Sequence, residues 1–211
     1  MVDVDASGAI AVQRRRTWMA GGVLLLTSVL TMAVNNMPGA WLGALPGLLF
    51  DAALVILAIG LGRGGSVTAR RPMGTGALIA FAVWDLVWPW VKGLVPYPAT
   101  PDDDYFATMQ LLGITGQVVS LILAAVAVTQ IGRLRVVPRP WNWAPLWAFA
   151  AVVLCQVLQS VLVVASPTAG QDVLIAISGF FVLIDVLATA FLGVLAIVLA
   201  TRRDPASVVV Y

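Results

Sequence analysis

Six long apolar stretches dominate this sequence and decide what the chain can fold into. They cover roughly residues 17–34, 41–61, 74–95, 106–132, 142–165 and 172–201. Each is close to the ~20 apolar residues that an α-helix needs to cross a bilayer. Lipid offers no hydrogen bonds to the backbone, so such stretches must form helices. We therefore predict an all-α polytopic bundle of six spans, with residues 1–211 forming a single transmembrane domain with short terminal tails.

The arginines predict how these spans are oriented. They precede span one, separate spans two and three, separate spans four and five, and follow span six: Arg14–Arg16, Arg63, Arg70, Arg71, Arg133, Arg135, Arg139, Arg202 and Arg203. The connections on the other side contain no arginine and include the acidic run 102–104. Because positive residues concentrate in cytoplasmic loops, both termini are expected in the cytoplasm. We expect a multi-pass protein of a bacterial cytoplasmic membrane.

The composition argues against several kinds of site. The chain has no histidine, no glutamate and one cysteine, Cys155, so no internal disulfide can form. Haem and zinc sites usually need histidine or several cysteines, and Ser-His or Cys-His catalysis needs histidine. With 61% hydrophobic and 10% charged residues, the chain has the lipid bilayer as its main partner. We expect no cofactor, no metal and no nucleic acid, and the sequence favours a protein that is not an enzyme.

Polar side chains lie near the middle of five of the spans. Counting at 1.5 Å per residue places three aspartates and two glutamines within a few ångström of the bilayer centre. An aspartate at a helix centre costs roughly 2.5–3.5 kcal/mol, and the spans hold a single basic residue. At least two aspartates must therefore be protonated, cation-bound or hydrated. We predict a ligand- or ion-binding site from these residues: Asp51, Asp85, Asp185, Gln117, Gln156 and Lys92.

Span three has two features with alternative interpretations. Asp85 and Lys92 share one helix face, roughly 10 Å apart along the axis. Lys92 either extends to the lipid headgroups or approaches Asp85 through water or a bound substrate. Pro89 has no N–H to offer the carbonyl of Asp85. This indicates either a broken helix, as at transporter ion sites, or a simple kink.

Small and hydroxyl-bearing residues repeat at helical spacing in several spans. The polar repeats Thr27–Thr31 and Gln156–Ser160 favour hydrogen bonds between helices. The glycine repeats Gly43–Gly47 and Gly113–Gly116 favour close helix packing.

The sequence leaves three functions open. The first is a transporter or channel-type protein for a proton, a cation or a small cationic solute, with the aspartates as its midplane site. The second is a non-catalytic membrane subunit or scaffold, associated with partner membrane subunits or with copies of itself. The third is a lipid-handling enzyme that binds Mg²⁺ at Asp102–Asp104, although a run of charges is usually a solvated turn.

Overall fold

The computed structural model describes residues 4–34, 40–62, 64–98, 103–134, 136–137, 141–165 and 171–202. Over these ranges the chain forms six α-helices and no strand. A short 3-10 helix, Trp141–Trp143, precedes the fifth of them. The helices are α1 Val4–Val34, α2 Ala40–Ile59, α3 Pro72–Gly93, α4 Asp103–Leu134, α5 Ala144–Ala165 and α6 Gln171–Thr201.

Each helix coincides with one predicted apolar stretch, with the largest difference at α1. This helix begins at Val4, thirteen residues before the predicted span, and it carries Arg14–Arg16 near its middle. Hydropathy locates the apolar part of a helix, whereas the helix itself extends as far as its backbone hydrogen bonds continue. The helix is therefore longer than the predicted span, and the start of that span at residue 17 stays a prediction.

Among the described residues, four segments are long and apolar enough to cross a membrane: Pro72–Gly93, Asp104–Leu134, Trp141–Leu162 and Ile175–Thr201. In α2 the described apolar segment, Gly43–Ile59, is shorter. The protein is thus all-helical over the described ranges and membrane-embedded, while six crossings and a cytoplasmic location of both termini remain predictions.

The helices form a closed ring. Each one packs against the helix before and after it, and α6 returns to pack against α1. Within the described parts of the chain, the backbones of helices on opposite sides of the ring do not approach each other closely. The α1–α6 contact depends on glycine, because a Cβ added at Gly22 would lie 2.8 Å from both the carbonyl oxygen of Gly193 and Cγ1 of Ile197.

The connection from α2 to α3 closes one end of the ring through hydrogen bonds. Arg70 donates from Nε to the carbonyl of Ile59 at 3.1 Å and from Nη2 to that of Gly62 at 3.0 Å. The first bond satisfies a carbonyl that the end of α2 would otherwise leave free, and the second joins the side chain to the connection itself. The backbone N–H of Leu61 donates to Oγ1 of Thr17 at 2.8 Å, which attaches the connection to α1.

The best-packed part of the ring lies at this same end. Its apolar cluster joins α1, α2, α3, α4, α6 and the α4–α5 connection: Trp18, Ala58, Ala77, Leu78, Ala127, Ile131, Val137 and Ala200. Arginines flank these residues in sequence on α1, in the α2–α3 connection, and at the ends of α4 and α6. We call this half of the molecule the arginine end. In the other half, most described side chains are exposed or half-buried.

Candidate ligand-binding cavity

A partly open cavity of about 840 Å³ lies between the helices of the ring. Residues from all six helices line it. At the arginine end, Val67 from the α2–α3 connection and Val137 and Trp141 from the α4–α5 connection add to the lining.

Most of the lining is apolar, with a small set of polar side chains. The acidic and amide groups come from α3, α4, α5 and α6, and the hydroxyls from α1, α4 and α6. These polar residues are Asp85, Gln117, Gln156, Asp185, Ser28, Ser120 and Thr189. None of the described lysines and arginines lines the cavity. A large apolar space with a few convergent polar groups is the usual composition of a small-molecule site.

Asp85 and Asp185 bring two carboxyl groups to the cavity from α3 and α6. Asp85 is exposed and Asp185 is half-buried. Within the described part of the chain, neither makes a hydrogen bond or an ion pair. Two acidic groups that form no ion pair in the described residues favour the binding of protons or of a cationic group.

Asp51 is placed differently from the other two aspartates. It does not line the cavity and is only 8% exposed. Its Oδ1 is buried without a hydrogen-bond partner. Its charge interacts with that of Asp85, which places the two groups close enough to influence each other. Burying an unpaired polar group is costly, so Asp51 is one of the few described side chains whose position needs a chemical explanation.

Lys92 stands apart from the cavity as well. It is exposed, and it interacts electrostatically with Asp85 without forming an ion pair in the described residues. The helix α3 runs without interruption through Pro89 to Gly93. The structure therefore shows a proline inside a continuous helix, not the broken helix that was one of the two interpretations of this segment.

The predicted hydrogen bonds between helices are found for one pair. Gln117 of α4 donates from Nε2 to Oε1 of Gln156 of α5, at 3.2 Å. The hydroxyls of Thr27, Thr31 and Ser160 instead donate to backbone carbonyls of their own helices. For these three the prediction was wrong, because a hydroxyl in a helix can donate its hydrogen bond to a backbone carbonyl of the preceding turn.

Close helix packing, which was predicted at four glycines, is found at one of them. A Cβ added at Gly116 would overlap the indole of Trp88, so this glycine does allow close packing. Gly113, Gly43 and Gly47 have no atom outside their own helix within 4 Å of an added Cβ, so for them the prediction was wrong. Gly47 instead lines the cavity.

Sequence reasoning also missed several aromatic residues of the cavity. Phe50 and Phe81 line it as an edge-to-face pair with ring centroids 6.5 Å apart. Trp18 lines it too, is 3% exposed, and its indole Nε1 has no hydrogen-bond partner. The available signal was the spacing of Phe81 and Asp85, which lie one helical turn apart.

No metal site is formed by the described residues, since no group of three acidic, histidine or cysteine side chains comes together there. Of the acidic run proposed for Mg²⁺, Asp102 and the side chain of Asp103 lie outside the described residues, and Asp104 is exposed. Comparison with protein-family models, with curated proteins and with solved structures gives no match for this chain. Its function must therefore be argued from the cavity.

Proposed function

We propose that this protein carries a small solute across the membrane and that the central cavity is its binding site. The observation that supports this most is the cavity of about 840 Å³, whose described lining has two carboxyl groups and no basic residue. Pockets of roughly 300–1,000 Å³ are typical of sites for small organic molecules. A helical scaffold whose only role is to hold partners would gain nothing from an interior space of this size.

The polar residues have distinct roles in this proposal. Asp85 and Asp185 contact the solute directly, since both line the cavity. Gln117 and Gln156 hold α4 against α5 through their hydrogen bond, and their remaining amide atoms are free to contact the solute. Asp51 acts on the solute through Asp85, because it is buried outside the cavity but interacts with that group. Lys92 is exposed outside the cavity and is assigned no contact with the solute.

The packing of the ring suggests the side from which the solute enters. The arginine end holds the apolar cluster and three cavity-lining residues of the connections. Asp85 and Gln117 lie near the middle of α3 and α4 and are exposed. With arginines on the cytoplasmic side, the better-packed end is the cytoplasmic one, which favours entry of the solute from outside the cell.

Uptake into proteoliposomes tests this proposal without assuming the identity of the solute. A panel of radiolabelled amines, amino acids, sugars, carboxylic acids and inorganic cations is offered to the wild type, to Asp85→Asn/Asp185→Asn and to Asp104→Asn. Asp104 is a matched control because it is an exposed carboxyl group outside the cavity. We expect protein-dependent uptake of at least one solute, lost in the double variant and kept in the control. Uptake of none, or uptake that the double variant keeps, would contradict the proposal.

A further inference from the structure

We infer that the solute is an amphipathic organic monocation, with an apolar or aromatic body and one ammonium-type charge. This inference rests on the proposed function for its biological meaning, but it concerns the chemistry of the cavity alone. It follows from three features of the lining: its charge, its apolar surface and the position of its aromatic rings.

The charge of the lining has one sign. Asp85 and Asp185 are acidic, and among the described residues no basic side chain lines the cavity. Lys92 interacts electrostatically with Asp85, but it lies outside the lining and forms no ion pair with either aspartate in the described residues. Asp51 adds a third acidic group, buried and with an unpartnered oxygen, whose charge interacts with Asp85. An anionic solute would meet repulsion here, and a cation would supply the missing charge.

The apolar part of the lining favours an organic solute over a small hydrated ion as the ligand of the cavity. Apart from seven polar residues, the lining consists of aliphatic, aromatic, glycine and proline residues. A metal ion would leave most of this surface in contact with water, which is unfavourable in proportion to its area. An organic body covers that surface and gains the corresponding hydrophobic free energy.

The aromatic residues lie where an organic cation would need them. Phe81 is one turn from Asp85 on α3, and Phe50 contacts Phe81 edge to face at 6.5 Å. An ammonium group is attracted both by a carboxylate and by the face of an aromatic ring, and sites that bind quaternary ammonium ligands combine such groups. The Phe50–Phe81 pair and Asp85 therefore form the part of the cavity in which the charged group is expected.

Binding of tetraphenylphosphonium tests this inference. Tetraphenylborate has nearly the same size and shape but the opposite charge, so it controls for purely hydrophobic binding. Equilibrium dialysis is performed with the full chain in phosphatidylcholine nanodiscs, and binding to empty nanodiscs is subtracted. We expect saturable binding of the phosphonium and none of the borate. Phosphonium affinity should fall about tenfold or more in Asp85→Asn/Asp185→Asn, a change of at least ~1.4 kcal/mol. It should stay within about twofold in Lys92→Gln, a change of at most ~0.4 kcal/mol.

Three results would overturn the inference: no saturable phosphonium binding, equal binding of the borate, or unchanged affinity in the double aspartate variant. A variant that does not fold is recognised by size-exclusion chromatography, and single replacements of Asp85 and Asp185 then take its place. The outcome separates the two proposals. Solute uptake without phosphonium binding refutes only the solute class, whereas phosphonium binding without uptake of any solute refutes only the carrier.

Discussion

The indole of Trp88 on α3 lies directly against Gly116 on α4, so that even a methyl group at this glycine would overlap the ring. Trp84 extends the same contact, since it stacks on Trp88 with ring centroids 4.5 Å apart and donates from Nε1 to the carbonyl of Gly116 at 3.2 Å. The two tryptophans thus hold α3, which carries Asp85, against α4, which carries Gln117.

Gly116→Ala should destabilise the protein by about 1–3 kcal/mol, the usual cost of overfilling a packed site. Gly113→Ala is the matched control, because it lies one turn away on α4 with open space around it. Thermal unfolding followed by tryptophan fluorescence in detergent measures the difference. Equal stability of the two variants would show that Trp88 does not pack on Gly116.

The hydrogen bond between Gln117 and Gln156 should be detectable as an interaction energy. In a double-mutant cycle with Gln117→Ala and Gln156→Ala, we expect a coupling of about 0.6–1.7 kcal/mol, the range found for hydrogen bonds between membrane helices. The cycle is measured by unfolding in mixed micelles. Strictly additive effects would mean that the two amides do not meet.

Thr17 should be essential for attaching the α2–α3 connection to α1. It is fully buried and accepts a hydrogen bond from the N–H of Leu61 at 2.8 Å. Thr17→Val removes the acceptor and should cost about 0.5–1.5 kcal/mol, because the partly buried N–H of Leu61 loses its hydrogen bond. Thr17→Ser keeps the hydroxyl and should be closer to the wild type in thermal unfolding. If Val and Ser are equivalent, the hydroxyl has no such role.

The orientation of the helices is tested by single cysteines in a Cys155→Ser background. Asp104→Cys and Arg202→Cys are both exposed positions at helix ends. If the arginine end is cytoplasmic, a membrane-impermeant maleimide added to intact cells labels position 104 and leaves position 202 unlabelled. Labelling of position 202 alone would reverse the orientation, and labelling of both would contradict the predicted topology.

The sequence predicted the positions of the helices well, because hydropathy shows directly which stretches are apolar and long enough to lie in a bilayer. The limits of α3 and α4 agree with the structure to within three residues. The depth of the polar residues was also accessible, since it follows from counting. The sequence could not show which polar residues face the cavity, because in this ring the lipid-facing and cavity-facing surfaces are both apolar. Asp51 and Asp85 were predicted at one depth and in one site, and only the packing of neighbouring helices separates the buried group from the cavity-lining one.

The same reasoning explains the glycines. Gly47 and Gly116 look alike in sequence, as members of small-residue repeats. One borders open space in the cavity and the other lies under a tryptophan. A repeat of small residues shows where helices could approach closely, whereas the partner helix decides whether they do.

Occlusion of the cavity at Gly47 tests the central claim most directly. Gly47 lines the cavity and has open space around it, so Gly47→Trp should fold and fill part of the space. Gly43→Trp is its control, one turn earlier on α2, equally unhindered and outside the lining. We predict that solute uptake falls about tenfold or more in Gly47→Trp, equivalent to ~1.4 kcal/mol, and stays near the wild-type value in Gly43→Trp. Uptake that is unchanged in Gly47→Trp, or lost equally in both folded variants, would contradict a binding site in this cavity.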